Sequence, residues 1–133
     1  MAINIRVITP DRLVCSTTAD EVILPSTTGR VGILENHIPL VTTLDIGVLR
    51  MKLEEKWTPM ILFGGFAEVV ENNVTVLVNS VEETISLTAS QATAALEEAT
   101  LALETAETEK EKMNAALNIK KATARLTATN LTP

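Results

Sequence analysis

Two periodicities divide the chain. Along residues 1–84, apolar and polar positions alternate in short runs separated by turn-forming residues, the pattern of an antiparallel sandwich or barrel. Ile3, Ile5 and Val7 share one face of the first run. Thr9-Pro10-Asp11-Arg12 then turns the chain, because proline presets the dihedral at the first corner, and an apolar run resumes at Leu13. Further strands are expected at 21–24, 31–34, 48–53, 60–63, 66–70 and 74–79. In the third of these, period two sends Leu49, Met51 and Leu53 to the core and Arg50 and Lys52 to water. Glu71-Asn72-Asn73 closes a hairpin, asparagine being tolerant of the left-handed region.

From Thr88 the period changes to that of a helix. Thr88-Ala-Ser-Gln91 has the form of a capping box, a hydroxyl followed three residues later by a glutamine, so a helix is expected to begin at Ala89. Ala92, Ala95, Leu96, Ala99, Ala102, Leu103 and Ala106 form one apolar stripe, and its small residues permit close approach of a second helix. The least apolar stretch, 105–110, turns the chain or carries the helix straight on; the pattern allows both. The last segment has two apolar edges, Ala115, Ile119, Ala122 and Leu126 on one side and Met113, Leu117, Ala124 and Ala128 on the other. One edge serves the hairpin, leaving the other for the sandwich or another protein.

Composition follows the same division. Every glycine lies at or before Gly65 and every valine at or before Val81, whereas twelve of the fifteen alanines fall at or after Ala89. β-branched residues suit pleated sheets and alanine costs least in a helix. The fold expected is β plus α, an antiparallel β-sandwich over 1–86 followed by a helical hairpin over 87–133, with the boundary near 84–88.

A net charge of −6 argues against nucleic acid as partner, since such binding rests on a positive surface. The start, Met1-Ala-Ile-Asn-Ile-Arg6, alternates like a strand and has no signal-peptide core. The apolar stretch 60–70 contains Glu68 and is about half of the roughly 20 residues a spanning helix requires. One cysteine, Cys15, excludes an internal disulfide and a cysteine-rich zinc site, and is expected to pack in a strand. Gly29-Arg-Val-Gly32 lacks the lysine and serine of a phosphate loop; Gly29 and Gly32 are read as turn glycines. Gly64-Gly65 marks a bulge or close strand contact that needs a missing side chain. His37, with Cys15 or Asp45 as conceivable partners, has no nucleophile elbow, HExxH or carboxylate pair beside it, so no catalytic residue is assigned. Charge is segregated in the hairpin: Glu97, Glu98, Glu104, Glu107, Glu109 and Glu111 precede a stretch bearing only Lys112, Lys120, Lys121 and Arg125. An antiparallel hairpin brings Glu97 and Glu98 toward Lys120 and Lys121 as solvated ion pairs; alternatively the basic edge docks on an acidic partner.

The segment Leu24-Pro-Ser-Thr-Thr-Gly-Arg-Val-Gly-Ile-Leu-Glu-Asn-His-Ile-Pro-Leu40 closely resembles the glycine and histidine-proline signature of F-type ATP synthase epsilon subunits. Leu44-Asp-Ile-Gly-Val-Leu-Arg50 and Gly64-Gly-Phe-Ala-Glu-Val-Val-Glu-Asn-Asn-Val-Thr-Val-Leu-Val78 agree with it. Arg6-Val-Ile-Thr-Pro-Asp-Arg12 and Lys120-Lys-Ala-Thr-Ala-Arg-Leu126 resemble the chloroplast and cyanobacterial branch. A start directly at a strand, without a transit extension, is similar to plastid-encoded or bacterial forms.

The resemblance implies a non-catalytic rotor and regulatory subunit of the central stalk, without cofactor or metal, peripheral to the thylakoid membrane on its stromal face or to the cyanobacterial thylakoid. Its partners there are the gamma subunit, the c-subunit ring and, transiently, the alpha and beta catalytic subunits. By the same resemblance Ser26, Thr27, Thr28, Gly29 and Arg30 face the c ring and His37 faces gamma. A hairpin released from the sandwich would bring Lys120, Lys121 and Arg125 to the catalytic head and block ATP hydrolysis. Some bacterial relatives bind ATP through Ile or Leu, Asp, two variable residues, Arg and Ala. The matching stretch here, Lys110-Glu-Lys-Met-Asn-Ala115, lacks the aspartate and the arginine, so regulatory ATP binding is not carried over.

Overall fold

The structure, a computed structural model, describes residues 2–82 and 88–131. The expected boundary between 86 and 87 lies outside the described residues. Strands β1 (Ile3–Ile8), β2 (Leu13–Ala19), β3 (Glu21–Ser26), β4 (Gly29–Ile33), β5 (Leu40–Leu53), β6 (Lys56–Val70), β7 (Asn73–Val78) and β8 (Val81–Glu82) precede helices α1 (Ala89–Thr105) and α2 (Glu109–Leu131). The strand order is β2-β1-β7-β6-β5-β3-β4, with β8 paired to β6. All strand pairs are antiparallel except β1 with β7.

β5 and β6, of 14 and 15 residues, are longer than one layer of a small sandwich accommodates. One half of the β5–β6 ribbon continues through β7, β1 and β2, the other through β3 and β4. The ribbon creases where Asp45 and Gly64 drop out of the ladder between the pairs Leu44 with Gly65 and Ile46 with Phe63. At the crease Gly65 has φ +148°, and a Cβ there would lie 2.1 Å from the Leu77 carbonyl oxygen and 2.7 Å from the Val78 Cα. Only a residue without a side chain lets β6 and β7 approach there, as the glycine pair in the sequence suggested.

The folded sheet closes on one core containing Ile3, Ile5 and Val7, Val22 and Leu24, Leu49 and Met51, Met60 and Leu62, and Val74, Val76 and Val78. The first strand buries alternate residues as expected and the apolar run from Leu13, with Cys15, forms β2, whereas the first half of β5, with its threonines, lies outside the expected strands. Two expected strands, at 60–63 and 66–70, are parts of the single strand β6. Gly29 follows a two-residue turn at Thr27-Thr28, but Gly32 is a ladder residue opposite Ile23, with no contact that demands glycine; it is not a turn glycine.

Thr88 caps α1 as a full capping box: its hydroxyl accepts from the Gln91 amide at 3.2 Å and Gln91 Oε1 accepts from the Thr88 amide at 3.0 Å. The chain does turn within 105–110. Thr108 starts α2 in the same manner, its hydroxyl accepting from the Glu111 amide at 3.1 Å while the Glu111 carboxylate accepts from the Glu107 amide at 3.0 Å. Among the described residues no helix is long and apolar enough to cross a membrane.

Candidate functional site: an interaction surface

α2 uses its two apolar edges differently along its length. Ala115 and Ala122 are buried on the side that meets Ala95, Ala99, Ala102 and Ala106 of α1. Ala124 and Ala128, from the other edge, pack on Val48 and Ile61, with Ile46 and Phe63 alongside. The same edge continues into Met113 and Leu117, which remain exposed. The hairpin therefore docks by the distal half of α2 and leaves its turn end projecting. Docking also explains the unbroken apolar run Met60-Ile61-Leu62: Met60 and Leu62 belong to the sandwich core and Ile61 to the helix contact, so the strand is buried on both faces.

The three basic residues singled out on α2 all touch the sandwich. Arg125 Nε donates to Glu82 Oε2 at 3.1 Å and Arg125 Nη2 to Oε1 at 2.6 Å, a fork-on-carboxylate pairing. The hydrogen bond to Glu82, against some loss of hydration and with the help of Glu82's charge, raises the guanidinium pKa. Lys120 Nζ lies 3.4 Å from both carboxylate oxygens of Asp45, at the crease of the ribbon. Lys121 Nζ sits 5.6 Å from the centroid of the Phe63 ring, within cation–π range. This corrects the expected pairing of Lys120 and Lys121 with Glu97 and Glu98: Asp45 and Phe63 hold them instead, because the helix turns that face toward the sheet. The pairs are part-exposed, and each is worth about 1 kcal/mol or less.

At the opposite edge of β3, Ser26, the one buried polar residue among those described, anchors the turn. Its hydroxyl is 2.8 Å from that of Thr42 and 3.1 Å from that of Thr28, and the Thr27 and Thr43 hydroxyls are 2.8 Å apart. Thr27, Thr28, Gly29 and Arg30 are exposed above this network. The turn is thus a braced, outward-facing edge, set apart from His37. The His37 ring Nδ1 donates to the Ile38 carbonyl at 2.6 Å and its amide to the Leu34 carbonyl at 3.2 Å. Asp45 is occupied by Lys120, and Cys15 lies on β2 against the core edge, so neither forms a catalytic pair with His37. The His37 loop is pinned by the Asn36 amide donating to Asn72 Oδ1 at 2.6 Å.

Beside that loop lies a surface the sequence reading did not single out. Leu34, Ile38, Val41, Phe66 and Val70 are all exposed, and Phe66 and Val70 lie on the same side of β6 by alternation. The signal was present in Phe66 and Val70, which fall on the polar side of an otherwise alternating strand. Among the described residues no group of histidine, cysteine and acidic side chains could hold a metal ion.

The family model described as the ATP synthase delta/epsilon chain β-sandwich domain matches residues 2–84. The chloroplastic ATP synthase epsilon chain of Phaeodactylum tricornutum is 58% identical over 130 residues, covering 98% of both chains. The chain belongs to the ATP synthase epsilon-chain family. The corresponding protein of Gracilaria tenuistipitata is 50% identical over 131 residues, again with 98% of each chain covered. Among solved structures, a chain of the Euglena gracilis mitochondrial ATP synthase assembly of OSCP, F1 and c-ring superposes with a TM-score of 0.82 at 19% identity, over 96% of this chain and 81% of that one. A chain of the Tetrahymena thermophila mitochondrial ATP synthase central stalk and c-ring gives 0.62 at 14% identity over 95% of both. These two likenesses concern the fold: the family's sandwich and the helices after it.

Proposed function

We propose that this chain is a non-catalytic central-stalk subunit of a chloroplast-type ATP synthase, peripheral to the thylakoid membrane, that joins gamma to the c ring and restrains ATP hydrolysis through its hairpin. In this reading Ser26, Thr27, Thr28, Gly29 and Arg30 meet the polar loops of the c ring, and the His37 loop, with the apolar patch around Ile38, Val41 and Phe66, meets gamma. A braced polar edge and an exposed apolar face on one rigid body suit a part that must carry torque between two partners. Docking of the hairpin supports the regulatory half. α2 is held to the sandwich by alanines and three part-exposed basic side chains, contacts weak enough to be exchanged for others. Released from Asp45, Phe63 and Glu82, the same Lys120, Lys121 and Arg125 become free for acidic surfaces of the alpha and beta subunits. Switching of this kind needs two states separated by only a few kcal/mol.

The experiment is reconstitution of an epsilon-depleted enzyme with the full chain or with residues 1–87. The shortened chain is expected to restore coupling to the proton gradient yet leave ATP hydrolysis uninhibited. Equal inhibition by both chains rejects the regulatory role, and failure of either chain to bind the stalk rejects the whole reading.

A further inference from the structure

The strands β2, β1, β7, β6 and the first half of β5 turn one face to the core and the other outward. Ile5, Val7, Ala67, Val69, Val74 and Val76 line the core, so by alternation the residues between them form cross-strand rows on the outer face. Following ladder partners from β5 to β2, the first row is Thr43, Phe66, Leu77, Ile8 and Leu13, and the second is Val41, Glu68, Thr75, Arg6 and Ser16. A third runs from Val70 through Asn73 to Asn4. Phe66, Leu13, Val41 and Val70 are exposed and Ile8 and Leu77 half-buried; contiguous apolar surface of this kind marks an interaction site. The hairpin does not cover it, since α2 packs on Val48 and Ile61 beyond the crease.

The charges of the second row decide the occupant. Glu68 and Arg6 lie one strand from Thr75 on opposite sides, about 10 Å apart across two strand spacings. Arg6 donates to the Thr75 hydroxyl at 3.4 Å, and among the described residues neither exposed charge has an opposite-charge partner in its own chain. A two-fold axis along β7 supplies one to each. It lays Glu68 of one copy against Arg6 of the other and Arg6 against Glu68, stacks Leu77 on Leu77, and sets Phe66 against Ile8, the self-complementarity of an isologous interface. The match comes from the order of residues in the row, because the net charge of −6 per chain by itself opposes self-association.

We propose that two copies of this chain pack these faces together about that axis, sheet on sheet with strands nearly aligned, through two reciprocal Glu68–Arg6 pairs around a seam of Phe66, Leu77 and Ile8. Strands about 4.8 Å apart and rows about 6.8 Å apart make a face of roughly 24 by 20 Å. The two copies thus bury on the order of 1,000 Å² in all, the range of weak, reversible interfaces. Dimerisation rests on the geometry of this face alone; that gamma displaces the second copy on assembly rests on the function proposed above.

Sedimentation equilibrium of the full-length chain from about 1 to 500 µM should show a monomer–dimer equilibrium with Kd on the order of 10–100 µM. Arg6→Glu and Glu68→Lys each make both cross-copy pairs repulsive and should weaken association at least about tenfold, with sandwich amides as protected as in the parent chain. Mixed in equal amounts, the two variants match both pairs again, and a heterodimer near the parent affinity is expected. Lys112→Gln, on the hairpin, leaves association unchanged. A monomer throughout, or association indifferent to both charge reversals, overturns the proposal. Failure of the mixed variants to associate overturns the two-fold arrangement. No partner subunit is present, so none of these outcomes bears on gamma binding, which the reconstitution above tests separately.

Discussion

The sandwich encloses rows of isoleucine, leucine, valine and methionine, whereas the buried side chains of the hairpin, among the described residues, are alanines at 92, 115, 122, 124 and 128. A buried large aliphatic side chain contributes about 1.5–3 kcal/mol and a methylene-sized group about 0.8. Backbone ordering costs a similar amount per residue in both regions. The sandwich therefore has the surplus to act as a fixed body, and the hairpin depends on its surroundings for its position. Difference in side-chain volume, more than difference in charge, separates the rigid region from the releasable one.

If that contrast is right, the largest effect comes from disturbing the sandwich at its crease. Gly65→Ala places a methyl group against the backbone of Leu77 and Val78, where no rotamer relieves it. A loss of about 4 kcal/mol in unfolding free energy is expected, measured by denaturant titration with sandwich and hairpin probes falling together. A midpoint near that of the parent chain refutes the close approach of β6 and β7.

The second substitution separates the regions. Ala128 is fully enclosed against the sheet, and Ala128→Leu overfills the contact at a cost of about 2 kcal/mol. The sandwich core, which that residue does not enter, keeps its amide protection while α2 exchanges faster. Loss of protection in both regions together indicates that hairpin and sandwich unfold as one unit.

Legibility in the sequence followed the same line. Strands with one wet face, such as β1, and the start of α1 were readable because the period or the cap is local information, whereas the end of α1 was not, since 105–110 allowed a turn and a continuous helix alike. The start of β2 at Leu13 was legible but its extent was not, because Ser16, Thr17 and Thr18 interrupt its apolar signal. The β5–β6 turn escaped because Glu54 and Glu55 sit at φ 49° and 66°, where glycine and asparagine are usual; the flanking ladder, Leu53 opposite Lys56, holds them there. Of the candidate surface, residue identities were legible and partners were not. Nothing in the order of residues sets the rotation of α2, and that rotation decides whether Lys120 meets Glu97 or Asp45.

Third in size is Arg125→Gln, which removes the fork on Glu82 and weakens docking by about 1 kcal/mol. The folded guanidinium pKa is raised, so its stabilisation is complete below the unfolded value and lost only as pH rises through the still higher folded one. Both lie far above neutrality. Docking through Arg125 should accordingly be flat from neutral to mildly alkaline pH, as read by α2 amide protection corrected for intrinsic exchange. A decline across that range in the parent chain, absent from the Arg125→Gln chain, contradicts the assignment.

The smallest effect tests whether charge adds anything to the apolar contact. Lys121 lies over Phe63 with its ammonium 5.6 Å from the ring centroid, and an exposed cation–π contact is worth about 0.5 kcal/mol. Lys121→Met keeps most of the aliphatic stem that covers the ring and removes the charge, while Phe63→Leu keeps the burial and removes the aromatic face. If the ring's electrons attract the ammonium, the two single substitutions loosen α2 similarly and the double substitution loosens it no further than either alone. Additive losses mean that the stem and ring contribute only as apolar surface, which leaves Asp45 and Glu82 as the sandwich groups that recognise the basic edge by charge. A release mechanism based on competition by acidic surfaces then acts through Lys120 and Arg125 alone.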